Sequence, residues 1–131
     1  MATVPLLTDG DATPEARAVF DDIRATRQTE YVNNIWRAMA NEPATMAATW
    51  DRLKQVMGPG ALDPLVKEMI YVAVSAANGC EYCVHSHSAA ARAKGMSDEM
   101  YRELLAIIGI AAQTNALATA MQVPVDDRFK A

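Results

Sequence analysis

The sequence predicts an all-α protein, and three observations carry that expectation. The hydrophobic fraction of 51% is supplied largely by alanine, methionine and leucine, which are good helix formers. Apolar residues recur at helical spacing in successive segments, and no stretch alternates as a strand would. Helix-start and helix-stop signals cut the chain into regular pieces. A length of 131 residues suits one compact domain, residues 1–131, with a core large enough to stand without disulfide staples.

The elements follow in order. Thr13-Pro14-Glu15 lines up an N-cap, a first-turn proline and an acidic first turn, so a helix opens at Pro14. Its apolar face is Ala16, Val19, Phe20 and Ile23, and it fades near Gln28. A short second helix carries Val32, Ile35, Trp36 and Met39, and a third starts at Pro43 and stops at Gly58-Pro59-Gly60. Asp63-Pro64 repeats the cap-plus-proline signature and opens PLVKEMIYVAVSAAN, apolar almost all round apart from Lys67 and Glu68, which predicts a central helix.

Asn78-Gly79 supplies the left-handed residue that ends this helix. The helix bearing both cysteines follows at once and stops at Gly95, so the two form a tight antiparallel hairpin. Ser97-Asp98-Glu99 caps a last helical region through Leu104, Leu105, Ile107 and Ile108, expected to bend at Gly109 and continue to Met121. The tail VPVDDRFKA breaks helix and is expected to reach a neighbouring chain. There is no internal repeat or low-complexity tract.

Charge narrows the partners. A formal net charge of −4 with no basic cluster argues against nucleic acid and against an anionic membrane surface. The start, MATVPLLTDGDATPEARA, has no cationic region followed by an apolar one and does not read as an export signal, which makes the cytoplasm the expected location. The longest uncharged run, Leu104 to Val125, could span a bilayer by length. It carries Gln113, Thr114, Asn115, Thr119 and Gln122, however, and is expected to be a buried helix in a soluble protein. In a reducing compartment two cysteines point to chemistry more than to a staple.

Both cysteines and both histidines fall within Cys80 to His87. At about 100° per residue, Cys80, Cys83 and His87 share an arc of about 60°, whereas Tyr82 and His85 lie on the other side. His87 sits one turn beyond Cys83, within reach of its proton, and the thiolate is the reacting species. His85 reads as a packing or surface residue. Reflecting the preceding helix through the Asn78-Gly79 turn sets Glu68 opposite Ala89, within a turn of His87. A carboxylate in so apolar a helix needs a partner, and His87 is the nearest.

The order Glu68, His87, Cys83, Cys80 then reads as an orienting carboxylate, a base, a nucleophile and a second thiol. Residues three apart on the first turn can join their sulfurs once one is oxidised, and a peroxide would do so through a sulfenic acid. Unpaired N–H groups at the helix start favour a thiolate at Cys80, whereas His87 favours one at Cys83, and the residues alone leave both open. Val84 directly after the second cysteine excludes c-type haem attachment. Zinc could draw on Cys80, Cys83, His87 and Glu68, but three of these share one helix face where structural zinc usually takes ligand pairs from separated segments. No metal and no cofactor are therefore expected.

Glu68, twelve positions to Cys80, then CEYC, then three residues to His87: this pattern resembles the alkylhydroperoxidase AhpD-like branch of the carboxymuconolactone decarboxylase family. The resemblance runs from about Pro64 through KGMSDEMYREL. It implies an all-α fold, a homo-oligomer (trimer or hexamer), a hydroperoxide substrate, and a dithiol reductant or protein disulfide reductase as electron donor. It further implies Cys83 as the peroxidatic cysteine, Cys80 as the resolving one, His87 as the base and Glu68 as the relay carboxylate. One departure is Tyr82, which stands where the best-known peroxidase members have a histidine. Alternatives on the same residues are a redox sensor or disulfide carrier, and a decarboxylase-like enzyme on the same fold, although the decarboxylase members lack the cysteine pair.

Overall fold

The computed structural model describes residues 1–130, which form six α-helices and one short 3₁₀ turn with no strand among them. The all-α expectation holds. The chain divides into two compact units, Met1–Gly58 and a second that begins at Pro59.

The first unit contains α1 (Pro14–Arg27), α2 (Asn34–Met39) and α3 (Pro43–Met57), with α3 packed on both α1 and α2. Thr13 caps α1 by accepting a hydrogen bond from the Ala16 N–H at 3.2 Å. The helix ends at Gln28, whose backbone turns left-handed at φ 51°. The predicted face is the buried one: Ala16, Phe20 and Ile23 join Trp36, Met46 and Trp50 in a single core. Val32 belongs to that core from just before α2 rather than on it. The two tryptophans meet edge to face, centroids 5.3 Å apart, and the Trp50 indole N–H donates to Asp22, which also takes Lys54. An N-terminal arm is tied down by paired bonds between Leu7 and Arg37 and by Arg24 gripping Asp9.

The second unit contains α4 (Pro64–Ala77), α5 (Glu81–Ala93) and α6 (Asp98–Ala120), with α5 and α6 both packed on α4. Asp63 caps α4 through the Leu65 N–H at 2.8 Å, and Ser97 caps α6 through the Met100 N–H at 3.1 Å. The α4–α5 hairpin turns on Gly79 at φ +69° and α5 ends on Gly95 at φ +103°, conformations that a side chain would strain. Val72, Ala91, Met96 and Leu104 are the buried apolar residues of this unit.

Three expectations change here. α6 runs as one continuous helix through Gly109. Nor is it a buried helix: Leu104 is its one buried residue, and Leu105, Ile107, Ile110 and Leu117 are exposed. By length and composition it could cross a bilayer, though Gln113, Thr114, Asn115 and Thr119 lie along it. α4 packs on two neighbours as a central helix should, yet Val66, Ile70 and Val74 form a stripe, four residues apart, that its own chain leaves 41–53% exposed. Fewer apolar residues are covered than the pattern called for, because a unit of three helices has too few faces to cover both α4 and α6. The tail makes a 3₁₀ turn at Asp127–Phe129 with Phe129 exposed, and Ala131 lies outside the described residues.

Candidate active site

Cys80 is the N-cap of α5, not a residue of its first turn. Its sulfur accepts the Cys83 N–H at 3.3 Å, and its own N–H donates to the Ser75 carbonyl of α4 at 2.9 Å, which pins the cap to the preceding helix. Cys80 and Cys83 are joined as a disulfide with Cα atoms 5.3 Å apart. A cap residue and the third residue after it are natural neighbours, since a cap side chain bends back over the first turn.

Glu68 lies on the face of α4 turned to α5 and is only 6% exposed. Its two carboxyl oxygens have different partners. Oε2 is 2.7 Å from His87 Nδ1, and Oε1 accepts from the Lys94 ammonium at 2.9 Å. Burial pushes the carboxyl upward, but the bonds from His87 and Lys94 outweigh it and hold Glu68 below the ordinary carboxylate range. An ionised carboxylate can only accept, so the proton of this contact is on His87 Nδ1. Nε2 is then the nitrogen free to take a proton in neutral His87.

The expected pairing of Glu68 with His87 is thus present, and so is the pairing of the two cysteines. His87 stands one turn past Cys83 on α5, and His85 is exposed beside a shallow groove also lined by Glu81, Tyr82 and Ser86. Two neighbours were missed. Tyr71 of α4 stacks flat on the His87 ring, centroids 3.5 Å apart and planes inclined by 17°. Lys94 completes the carboxylate. Both left a trace in the spacing: Tyr71 is three residues past Glu68, and Lys94 is seven past His87, two turns on and about 20° round the helix. Among the described residues, no group of three or more histidine, cysteine or acidic side chains is placed to hold a metal ion.

A sequence model described as the carboxymuconolactone decarboxylase family matches residues 43–126, a span that includes Glu68, Cys80, Cys83 and His87. The chain belongs to that family. Within it, the similarity is to AhpD-like members. The chain is 37% identical to an alkyl hydroperoxide reductase AhpD of Solibacter usitatus over 72% of its own length and 54% of the relative's. It is 31% identical to one of Anaeromyxobacter dehalogenans over 90% of its length and 63% of the relative's. The chain therefore spans between about half and two thirds of these curated relatives. A crystal structure described as the alkylhydroperoxidase AhpD core from Rhodospirillum rubrum superposes with a TM-score of 0.96 at 63% identity, covering 100% of this chain and 98% of that one.

Proposed function

We propose that this member of the carboxymuconolactone decarboxylase family reduces hydroperoxides through a dithiol–disulfide cycle at Cys80 and Cys83. The observation that carries the reading is the bridged cysteine pair at the start of α5, on the same helix as a histidine anchored by a buried carboxylate. The AhpD naming of its relatives supports the same chemistry.

The steps follow from the residues. Starting from the reduced pair, His87 Nε2 takes the Cys83 proton while Glu68 holds Nδ1 and favours the imidazolium that forms. The thiolate attacks the terminal peroxide oxygen: a sulfur–oxygen bond forms, the oxygen–oxygen bond breaks, and the alkoxide leaves as an alcohol with the proton from His87. The Cys80 thiol then attacks the Cys83 sulfenic acid, closing the disulfide and releasing water. A dithiol reductant or protein disulfide reductase returns both electrons by exchange and leaves oxidised. Peroxide consumption with a panel of dithiols tests this. Sustained turnover that needs both cysteines is expected, whereas a single stoichiometric oxidation with every donor would overturn it.

A second reading, a disulfide carrier or redox sensor without fast peroxide chemistry, is favoured by Tyr82. An exposed phenol stands there, where the best-known peroxidases of the family place a histidine. The same proposal takes the protein as a cytoplasmic homo-oligomer, trimer or hexamer, with neither nucleic acid nor membrane as partner. The exposed apolar residues of α4 and α6 support association. It also takes the two compact units as one domain, a reading supported by the family match, which crosses the boundary at Gly58.

A further inference from the structure

We infer that Lys94 is a positioning residue for this site: bound to Glu68 Oε1, it balances the buried carboxylate, so that the site carries no net charge with His87 neutral and free to accept a proton at Nε2. The inference rests on the reading of His87 as the base.

Glu68 is 6% exposed and the His87 side chain 19% exposed, so the site favours an assembly with no net charge. With Lys94 bound at 2.9 Å, that assembly is carboxylate, neutral imidazole and ammonium. Without Lys94, the same neutrality requires carboxylate and imidazolium, which leaves His87 already loaded and unable to deprotonate a thiol. With Lys94, the site is neutral both before the proton moves, with the thiol intact, and after it, with imidazolium facing thiolate. Among the described residues, α4 and α5 supply the groups recorded at His87 and Glu68. α4 brings Glu68 and Tyr71, and α5 brings Cys83 one turn back and Lys94 two turns on. From α6, Asp98 is engaged by Arg92, whose guanidinium also lies over Tyr101.

The geometry leaves Lys94 suited to substitution. It is the C-cap residue of α5, its side chain is 41% exposed, and its backbone bonds do not depend on the ammonium. The test is the titration of the His87 ring proton by NMR in the full chain with its disulfide intact, with the two histidines told apart by His85→Gln. Lys94→Met is expected to raise the His87 midpoint by about half a pH unit to one unit. Lys94→Gln, which keeps a donor for Oε1 but not the charge, is expected to raise it similarly, and Lys94→Arg to leave it in place.

An unmoved or lowered midpoint in Lys94→Met, or a Lys94→Gln protein that titrates like the parent, would overturn the inference. Should Lys94→Met fail to fold, the comparison of Lys94→Gln with Lys94→Arg decides the question alone. No peroxide enters the titration. Absence of turnover in the parent would therefore remove the proposed activity and leave this result readable, and an unmoved midpoint in an active protein would remove only the role of Lys94.

Discussion

His87 Nδ1 lies 2.7 Å from Glu68 Oε2 across the α4–α5 hairpin, between two residues nineteen apart in sequence. This contact decides which ring nitrogen carries the proton, and with it which nitrogen faces any chemistry on α5. If it serves Cys83, its loss must appear in thiol reactivity. In Cys80→Ser protein, His87→Ala is expected to slow alkylation of Cys83 near pH 7 by roughly threefold for each unit its pKa rises, since the smaller thiolate fraction is partly offset by higher intrinsic nucleophilicity. Glu68→Gln should give a smaller loss and His85→Ala almost none. Equal loss from His85→Ala and His87→Ala would point to Cys80 as the attacking thiol instead.

Reduced protein treated with peroxide is expected to lose both free thiols to one intramolecular bridge, as the 5.3 Å Cα separation permits. Intact mass and thiol titration read this directly. In Cys80→Ser protein the oxidation should stop at a sulfenic acid that a dimedone probe can trap. Two thiols surviving in folded, peroxide-treated parent protein would count against the cycle.

Acid should weaken the fold partly through Glu68. Burial raises its pKa, but the bonds from His87 and Lys94 more than offset that and leave the folded value below the unfolded one. The stabilisation is therefore complete above the unfolded carboxyl range near pH 4.5 and is lost as pH falls through the lower folded value. Urea unfolding at a series of pH values is expected to show a shallower acid slope in Glu68→Gln than in the parent. An unchanged slope would mean that the two bonds do not outweigh burial.

Phe20 is fully buried in the core of the first unit, beneath the Arg37 guanidinium. Phe20→Ala is expected to cost about 3–5 kcal/mol, since it removes a large apolar side chain and leaves a cavity among rigid neighbours. Denaturant unfolding measures it. A loss below about 1 kcal/mol would mean that the site collapses freely.

The stripe Val66, Ile70 and Val74 on α4 remains exposed in a single chain. Ile70→Glu is expected to shift the protein toward monomer in light scattering at micromolar concentration, because a charge would have to be buried in any interface formed there. A parent protein that is already monomeric would remove the proposed association.

Helix limits were legible because they are decided within a turn or so of chain. Thr13, Asp63 and Ser97 each bond an N–H two or three residues on, and Gly79 and Gly95 take the left-handed turns that stop α4 and α5. The Glu68–His87 pairing was legible for a related reason. The hairpin turn is short, so equal rise along two helices sets their register with little freedom.

What the sequence by itself determined is the set of helices, the register of the hairpin and the shared face of Cys83 and His87 on α5, with Cys80 set at the cap of that helix. The tertiary structure alone decided that Lys94 closes on Glu68, that Tyr71 lies flat on His87, and that most of α6 is left uncovered. Spacing constrains the angle of a residue about its own helix. The reach of a lysine, the tilt of a ring and the supply of covering surface depend on how helices rotate and pack against one another, and no local pattern encodes that.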